Sequence, residues 1–184
     1  NPVQAITDEM NRGYGFFDFF CHGCPTHFCA MDDHTSWGVV QVKTLKNAGM
    51  YPVVFANSCD TDEFEKEDCL GEVILLQPKA GAIAYLGYSN LSFGSPVDQE
   101  IYRILFSGDC PQLGRALVEA KKKVAGDLWV QQILHLMCEP EMWVRTAAPF
   151  APKSSGEFLV AGLPARVTVT DAVDKPLRNA RVLL

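Results

Sequence analysis

The sequence predicts an α/β fold: a mostly parallel sheet flanked by helices, followed by the start of an all-β segment. Three observations carry this. The short apolar runs "YGFFDFFC", "YPVVFANSC" and "GAIAYLGYS" are bounded by glycine or proline and read as buried strands. Helical patterns lie between them, so the body alternates β-α-β-α-β. The end of the chain changes period: "FLVAGLPARVTVTDAVDKPLRNARVLL" alternates every second residue. Strands joined through helices are expected to be parallel, with right-handed crossovers. Helices on both faces explain why the strands lack polar alternation.

In chain order, residues 4–11 form a short helix stopped by Gly13, and "YGFFDFFC" is the first strand. Residues 23–37 read as a polar, glycine-bearing loop. A helix through "VVQVKTLKNAG" ends at Gly49, and "YPVVFANSC" is the second strand. A charged loop over 60–68 leads to the helix "CLGEVILLQ", which stops before Pro78. "GAIAYLGYS" is the third strand. Two helices follow. Leu113, Ala116, Leu117, Ala120 and Val124 share one face of the first, and Leu128, Ile133, Leu134 and Met137 lie on the second. Residues 1–149 thus form one domain, and 150–184 a linker with the first strands of an Ig-like β domain. Three parallel strands are few for such a sheet. Part of the domain is therefore expected upstream, or on a companion chain.

The 184 residues suit one domain with an appendage, and 48% apolar with 21% charged residues is a globular balance. A net charge of −6 argues against a nucleic-acid partner. Lys121, Lys122 and Lys123 form the only dense basic run and read as a solvated helix face. No apolar run reaches the roughly 20 residues of a membrane span. Seven cysteines, an odd number, leave one unpaired if the others form disulfides.

In an open parallel sheet, sites form beyond the carboxyl ends of the strands. There the first strand presents Cys21-His22-Gly23, the second Asn57-Ser58-Cys59 and the third Gly87-Tyr88-Ser89. Adjacent strands lie about 4.8 Å apart, so His22 and Cys59 would face one crevice. A thiol and an imidazole so placed suit nucleophilic catalysis. Gly23 would let its backbone approach a substrate closely.

These residues also resemble a known family. "FFDFFCHG", then "VVFANSCDTDEFEKEDCLGEVILLQPKAGAIAYLGYSNLSFG", then "LHLMCEPEMWV" are similar to the gingipain-type (C25) cysteine peptidases of the caspase-like clan. The resemblance implies a caspase-like sheet and a cysteine endopeptidase with an extracellular or cell-surface location. It makes His22 and Cys59 the catalytic dyad, with the N–H groups of Gly23 and Cys59 as oxyanion donors. Phe93, with Tyr88 and Ser89, is implied at the substrate pocket. The partner is a peptide or protein substrate. No cofactor is needed for the chemistry, although relatives bind Ca²⁺, for which the acidic residues 60–68 with Asp32 and Asp33 are candidates. Cys21 stands where the family often has glycine, and Cys138-Glu139-Pro140 replaces Gly-Asp-Pro.

Other readings stand beside this one. The same domain could be catalytically inactive and bind peptides or partners. Cys21, Cys24, His27, Cys29 and His34 could hold zinc in an interaction module, although a distant second ligand pair is missing. A disulfide at Cys24 or Cys29 would brace the loop after His22. Cys21 should point into the sheet, away from the crevice. His27 and His34 are expected in an exposed loop, and His135 on an apolar helix face. Glu72 and Asp60 read as surface carboxylates.

Overall fold

A computed structural model describes residues 2–29, 36–107, 110–144, 153–155, 168–171 and 173–176. The chain divides into two compact units, Asn1–Thr146 and Ala147–Leu184.

The first unit is built on a four-stranded sheet. The apolar runs become β1 (Phe16–Phe20), β5 (Val53–Asn57) and β6 (Ala84–Tyr88), paired in parallel. The order is β1-β5-β6-β7, with β7 (Leu134–Met137) antiparallel to β6. Helix α1 (Pro2–Arg12) precedes β1 and ends at Gly13, whose φ of +83° suits a glycine stop.

Helices cover both faces. Helix α4 (Pro96–Phe106) and α5 (Leu113–Lys123), with α6 (Leu128–Ile133), enclose a core of Val53, Phe55, Leu86, Ile101, Leu105 and Leu113. The opposite core gathers Met10, Phe28, Trp37, Val54, Ile74 and Tyr85 beneath α3 (Leu70–Leu76) and α2 (Val39–Val42). Alternate residues of β5 therefore serve different cores, as the two-residue strand period requires.

Four sequence expectations are corrected. The residues read as a loop contain β2 (His22–Cys24), β3 (His27–Cys29) and β4 (Ser36–Gly38), a three-stranded antiparallel sheet. The helix expected through Gly49 stops after Val42, and turns continue the chain. Leu134 to Met137 is strand rather than helix, because the free edge of β6 offers backbone partners for it. Helix α4 was not anticipated, although its start carries a capping box: the Ser95 hydroxyl accepts from Val97 N, and Asp98 accepts from Ser95 N. In addition, Lys121 leaves the solvated face and donates to the Gln131 and Leu134 carbonyls, at 2.9 and 2.7 Å.

In the second unit, β8 (Lys153–Ser155) pairs antiparallel with β9 (Thr168–Thr170). The turn expected in "DAVDKP" is present, with the Asp171 carboxylate accepting from Val173 N and Lys175 N, both at 2.9 Å. The rest of the expected Ig-like strands lie outside the described residues.

Candidate active site

Backbone register brings the two expected catalytic segments level. Phe20 of β1 pairs with Asn57 of β5, and both strands end there. His22 and Cys59 each follow two residues later.

His22 opens β2, and its side chain is exposed. The hairpin that carries it is held by packing. Phe28, opposite Gly23 in the ladder, stacks on Phe19 with ring centroids 4.2 Å apart. Phe28 and Phe19 both stack on Trp37, whose indole N–H donates to Thr7 at 3.0 Å. Leu70 N donates to Pro25 O at 2.7 Å, tying the hairpin turn to the start of α3.

Cys59 sits in the turn after β5. Its thiol donates to Ser92 O at 3.1 Å and accepts from Ser92 N at 3.3 Å. The next residue, Asp60, has a φ of +59°, an uncommon conformation for a residue with a Cβ.

Gly23 joins the two segments. A Cβ there would lie 2.4 Å from Cys59 O and 2.8 Å from Ser58 Cβ. Only a glycine lets the His22-Gly23 backbone rest on the Cys59 turn. The sequence assigned Gly23 to the approach of a substrate; the structure also uses it for the approach of the cysteine segment.

The surroundings of the seven cysteines separate Cys59 from the rest. Cys21 turns into the aromatic core beside Ser58, with Sγ and Oγ 3.4 Å apart, and burial raises its thiol pKa. Burial pushes the Cys69 and Cys138 thiols up to about 11. Cys110 is buried. Cys24 and Cys29 belong to the hairpin, their sulfurs 3.9 Å apart and not joined in a disulfide. Cys59 is the partly exposed thiol at a strand end.

A cavity of about 420 Å³ opens on the α4 side of the sheet, lined by Asp18, Phe20, Asn57, Ser95, Asp98 and Tyr102 among others. Two of its lining residues, Phe20 and Asn57, stand two residues before His22 and Cys59 in the chain. Of the three residues expected in the substrate pocket, Tyr88 is fully buried, its hydroxyl donating to Asp98, so it cannot line a solvent-facing pocket. Ser89 instead meets the His135 imidazole at 2.9 Å. Phe93 is 90% exposed, on the loop that holds the Cys59 thiol. His135 is a strand residue beside that loop, and burial followed by Lys121 lowers its pKa.

Sequence reasoning passed over Asp62, three residues after Cys59. It is fully buried, and its two carboxylate oxygens have no hydrogen-bond partner among the described residues. Burial, then the Glu72 charge, raises its pKa to about 7. Its backbone N–H donates to Tyr88 O at 3.1 Å, which fixes the turn to β6. Two glycines make room for the side chain. A Cβ on Gly71 would lie 2.5 Å from Asp62 Oδ1, and one on Gly87 2.9 Å from Asp62 Cβ. The signal in the sequence was a pair of glycines within apolar elements. Glu72 is half-buried, and Asp60 carries a raised pKa from burial and Glu63, so neither is a plain surface carboxylate. His27 is likewise half-buried in β3 rather than exposed in a loop, while His34, Asp32 and Asp33 lie outside the described residues.

The fold and site define a class: a mixed α/β domain that presents a thiol and an imidazole from adjacent parallel strand ends. The chain belongs to peptidase family C25, whose family model matches residues 2–145. Lys-gingipain of Porphyromonas gingivalis is 32% identical over 93 residues, which is 50% of this chain and 5% of that relative. The fold matches the crystal structure of the Arg-specific cysteine proteinase gingipain R with a TM-score of 0.70, over 91% of this chain and 42% of that one, at 19% identity. The complex of Porphyromonas gingivalis RgpB pro- and mature domains gives a TM-score of 0.73 at 19% identity, over 91% of this chain and 43% of that one. The chain thus spans about a twentieth of the curated relatives it matches and less than half of these solved chains.

Proposed function

We propose that this chain supplies the catalytic part of a cysteine endopeptidase. The observation that supports this best is the seating of Gly23 on the Cys59 turn, which brings the backbones of the His22 and Cys59 segments against one another. Cys59 attacks the scissile carbonyl as thiolate, and the oxyanion forms near the N–H groups of Gly23 and Cys59. The tetrahedral intermediate collapses to a thioester, and His22 donates a proton to the departing amine. His22 then takes a proton from water, which attacks the thioester and releases the acid and the Cys59 thiol. For this sequence the Cys59 S–H must turn from Ser92 O towards His22.

The cavity on the α4 side receives the side chain before the scissile bond. Its carboxylates, Asp18 and Asp98, give it an acidic wall. Asp98 is committed to Tyr88 and Ser95, and Asp18, which faces the Tyr102 hydroxyl, is the group proposed to meet a cationic residue. The outer edge of β1 is unpaired among the described strands, and an upstream segment or companion chain adding a strand would cover it. On family grounds the location is extracellular or at the cell surface. No described helix is long and apolar enough to cross a membrane.

The test is cleavage of a mixed peptide library by the full-length protein and its Cys59→Ala variant. Cleavage by the first alone, with loss of preference for basic residues in Asp18→Asn, is expected. Equal inertness of the first two would leave a peptide-binding domain of the same fold.

A further inference from the structure

The hairpin that carries His22 holds a second cluster of chemically active side chains. Register pairs Cys24 with His27 and His22 with Cys29. Directly paired residues share a face of an antiparallel ladder, and so do residues two apart on one strand. His22, Cys24, His27 and Cys29 therefore lie on one face, and Gly23 and Phe28 on the other. Phe28 goes into the aromatic core, which turns the cluster outward. Among these four, Cys24, His27 and Cys29 place one ligand atom each within 4.8 Å of the others.

The geometry points to a metal site on Cys24, His27 and Cys29 for a thiophilic divalent cation, of which Zn²⁺ fits best. Zinc takes thiolates at about 2.3 Å in tetrahedral geometry, which sets two sulfurs about 3.8 Å apart. The observed separation is 3.9 Å. The sulfurs need not move to accept the ion. A disulfide would instead require the same sulfurs to close to about 2.05 Å across a diagonal of the ladder. Two thiolates and a neutral imidazole balance the two positive charges of the ion. Soft sulfur with imidazole selects zinc over calcium or magnesium. The ring of His27 is held by Thr26, whose Oγ1 lies 3.1 Å from Nδ1. The two-residue turn of Pro25 and Thr26 keeps the ligands close before the ion arrives.

Binding is two thiols exchanging their protons for one cation, with the protons released to solvent and no change of oxidation state. Among the described residues, three ligands fill three positions of the tetrahedron. The ion would brace the hairpin on the face that carries His22, so it is a structural element of the site and takes no step in peptide hydrolysis.

The test uses the whole chain, reduced, with Zn²⁺ alone and separately with Co²⁺ alone. The expected result is about one equivalent of bound metal, with a thiolate-to-cobalt charge-transfer band. Cys24→Ser and His27→Gln should each weaken Zn²⁺ binding more than about tenfold, and Cys138→Ser should not. Zn²⁺ should also raise the thermal midpoint of the native protein but not of Cys24→Ser. Absence of stoichiometric metal would overturn the proposal, as would binding that survives Cys24→Ser unchanged. Isolation of the protein with a Cys24–Cys29 disulfide would overturn it too.

Discussion

The segments that follow β1 and β5 carry the two halves of the proposed dyad, and they are held in opposite ways. The His22 hairpin rests on an antiparallel ladder and three stacked rings, Phe19, Phe28 and Trp37. The Cys59 turn is held differently. It rests on backbone bonds to neighbouring strands and loops: Asp60 N to Asn90 O, Asp62 N to Tyr88 O, and Gly71 N to Thr61 O. Beneath it lies the Asp62 carboxyl group, which has no hydrogen-bond partner among the described residues. Aromatic packing responds little to pH, whereas a buried carboxyl responds strongly. The two halves of one site should thus fail under different conditions.

The comparison can be broken or sharpened experimentally. The largest effect is expected from His22→Ala. Loss of the proton carrier should lower kcat/KM on the order of a thousandfold or more, with stability unchanged, because the side chain is exposed. Peptide-cleavage kinetics with a parallel urea melt would check both.

Second is the pH response of Asp62. Burial lifts its pKa from the ordinary aspartate range to about 7, so the folded state binds the extra proton. The Asp62 contribution to stability should be fullest below about pH 4, decline through pH 4 to 7 and level off above, a change on the order of 4 kcal/mol. Asp62→Asn should flatten that slope in urea midpoints measured across pH. A slope that persists in the variant would show that the turn is not the pH-sensitive half.

Gly23→Ala comes third. Its Cβ would press on the Cys59 carbonyl, displacing one segment from the other. A misplacement of about 1 Å costs roughly a hundredfold in rate. The expected signature is a fall in kcat with the Cys59 thiol still open to alkylation. The smallest effect should be Ser89→Ala, which removes one bond to His135. A loss of about 1 kcal/mol in thermal or urea stability is expected, with activity nearly retained.

The apolar strands were legible because a strand buried on both faces must be apolar throughout, and "PVVFA" and "AIAYL" satisfy that by themselves. The hairpin after β1 was not. Only Phe28 of its six strand residues contributes to a core, so no period marks it. Helix α4 could have been read from Ser95, Pro96 and Asp98, whose capping pattern is local. The strand Leu134–Met137 could not, since a short apolar run suits helix and strand alike until an edge is offered. Asp62 was one acid among many in residues 60–68, marked only indirectly by Gly71 and Gly87, which make room for it once it is buried.

The sequence by itself determined the parallel α/β core and the arrival of His22-Gly23 and Cys59 at strand ends. Those follow from hydrophobic pattern and from glycine and proline punctuation, which act over neighbouring residues. The tertiary structure alone decided which carboxyl group is buried and which aromatic rings stack under the hairpin. Those depend on residues far apart in the chain reaching contact distance, and on the water removed when they do.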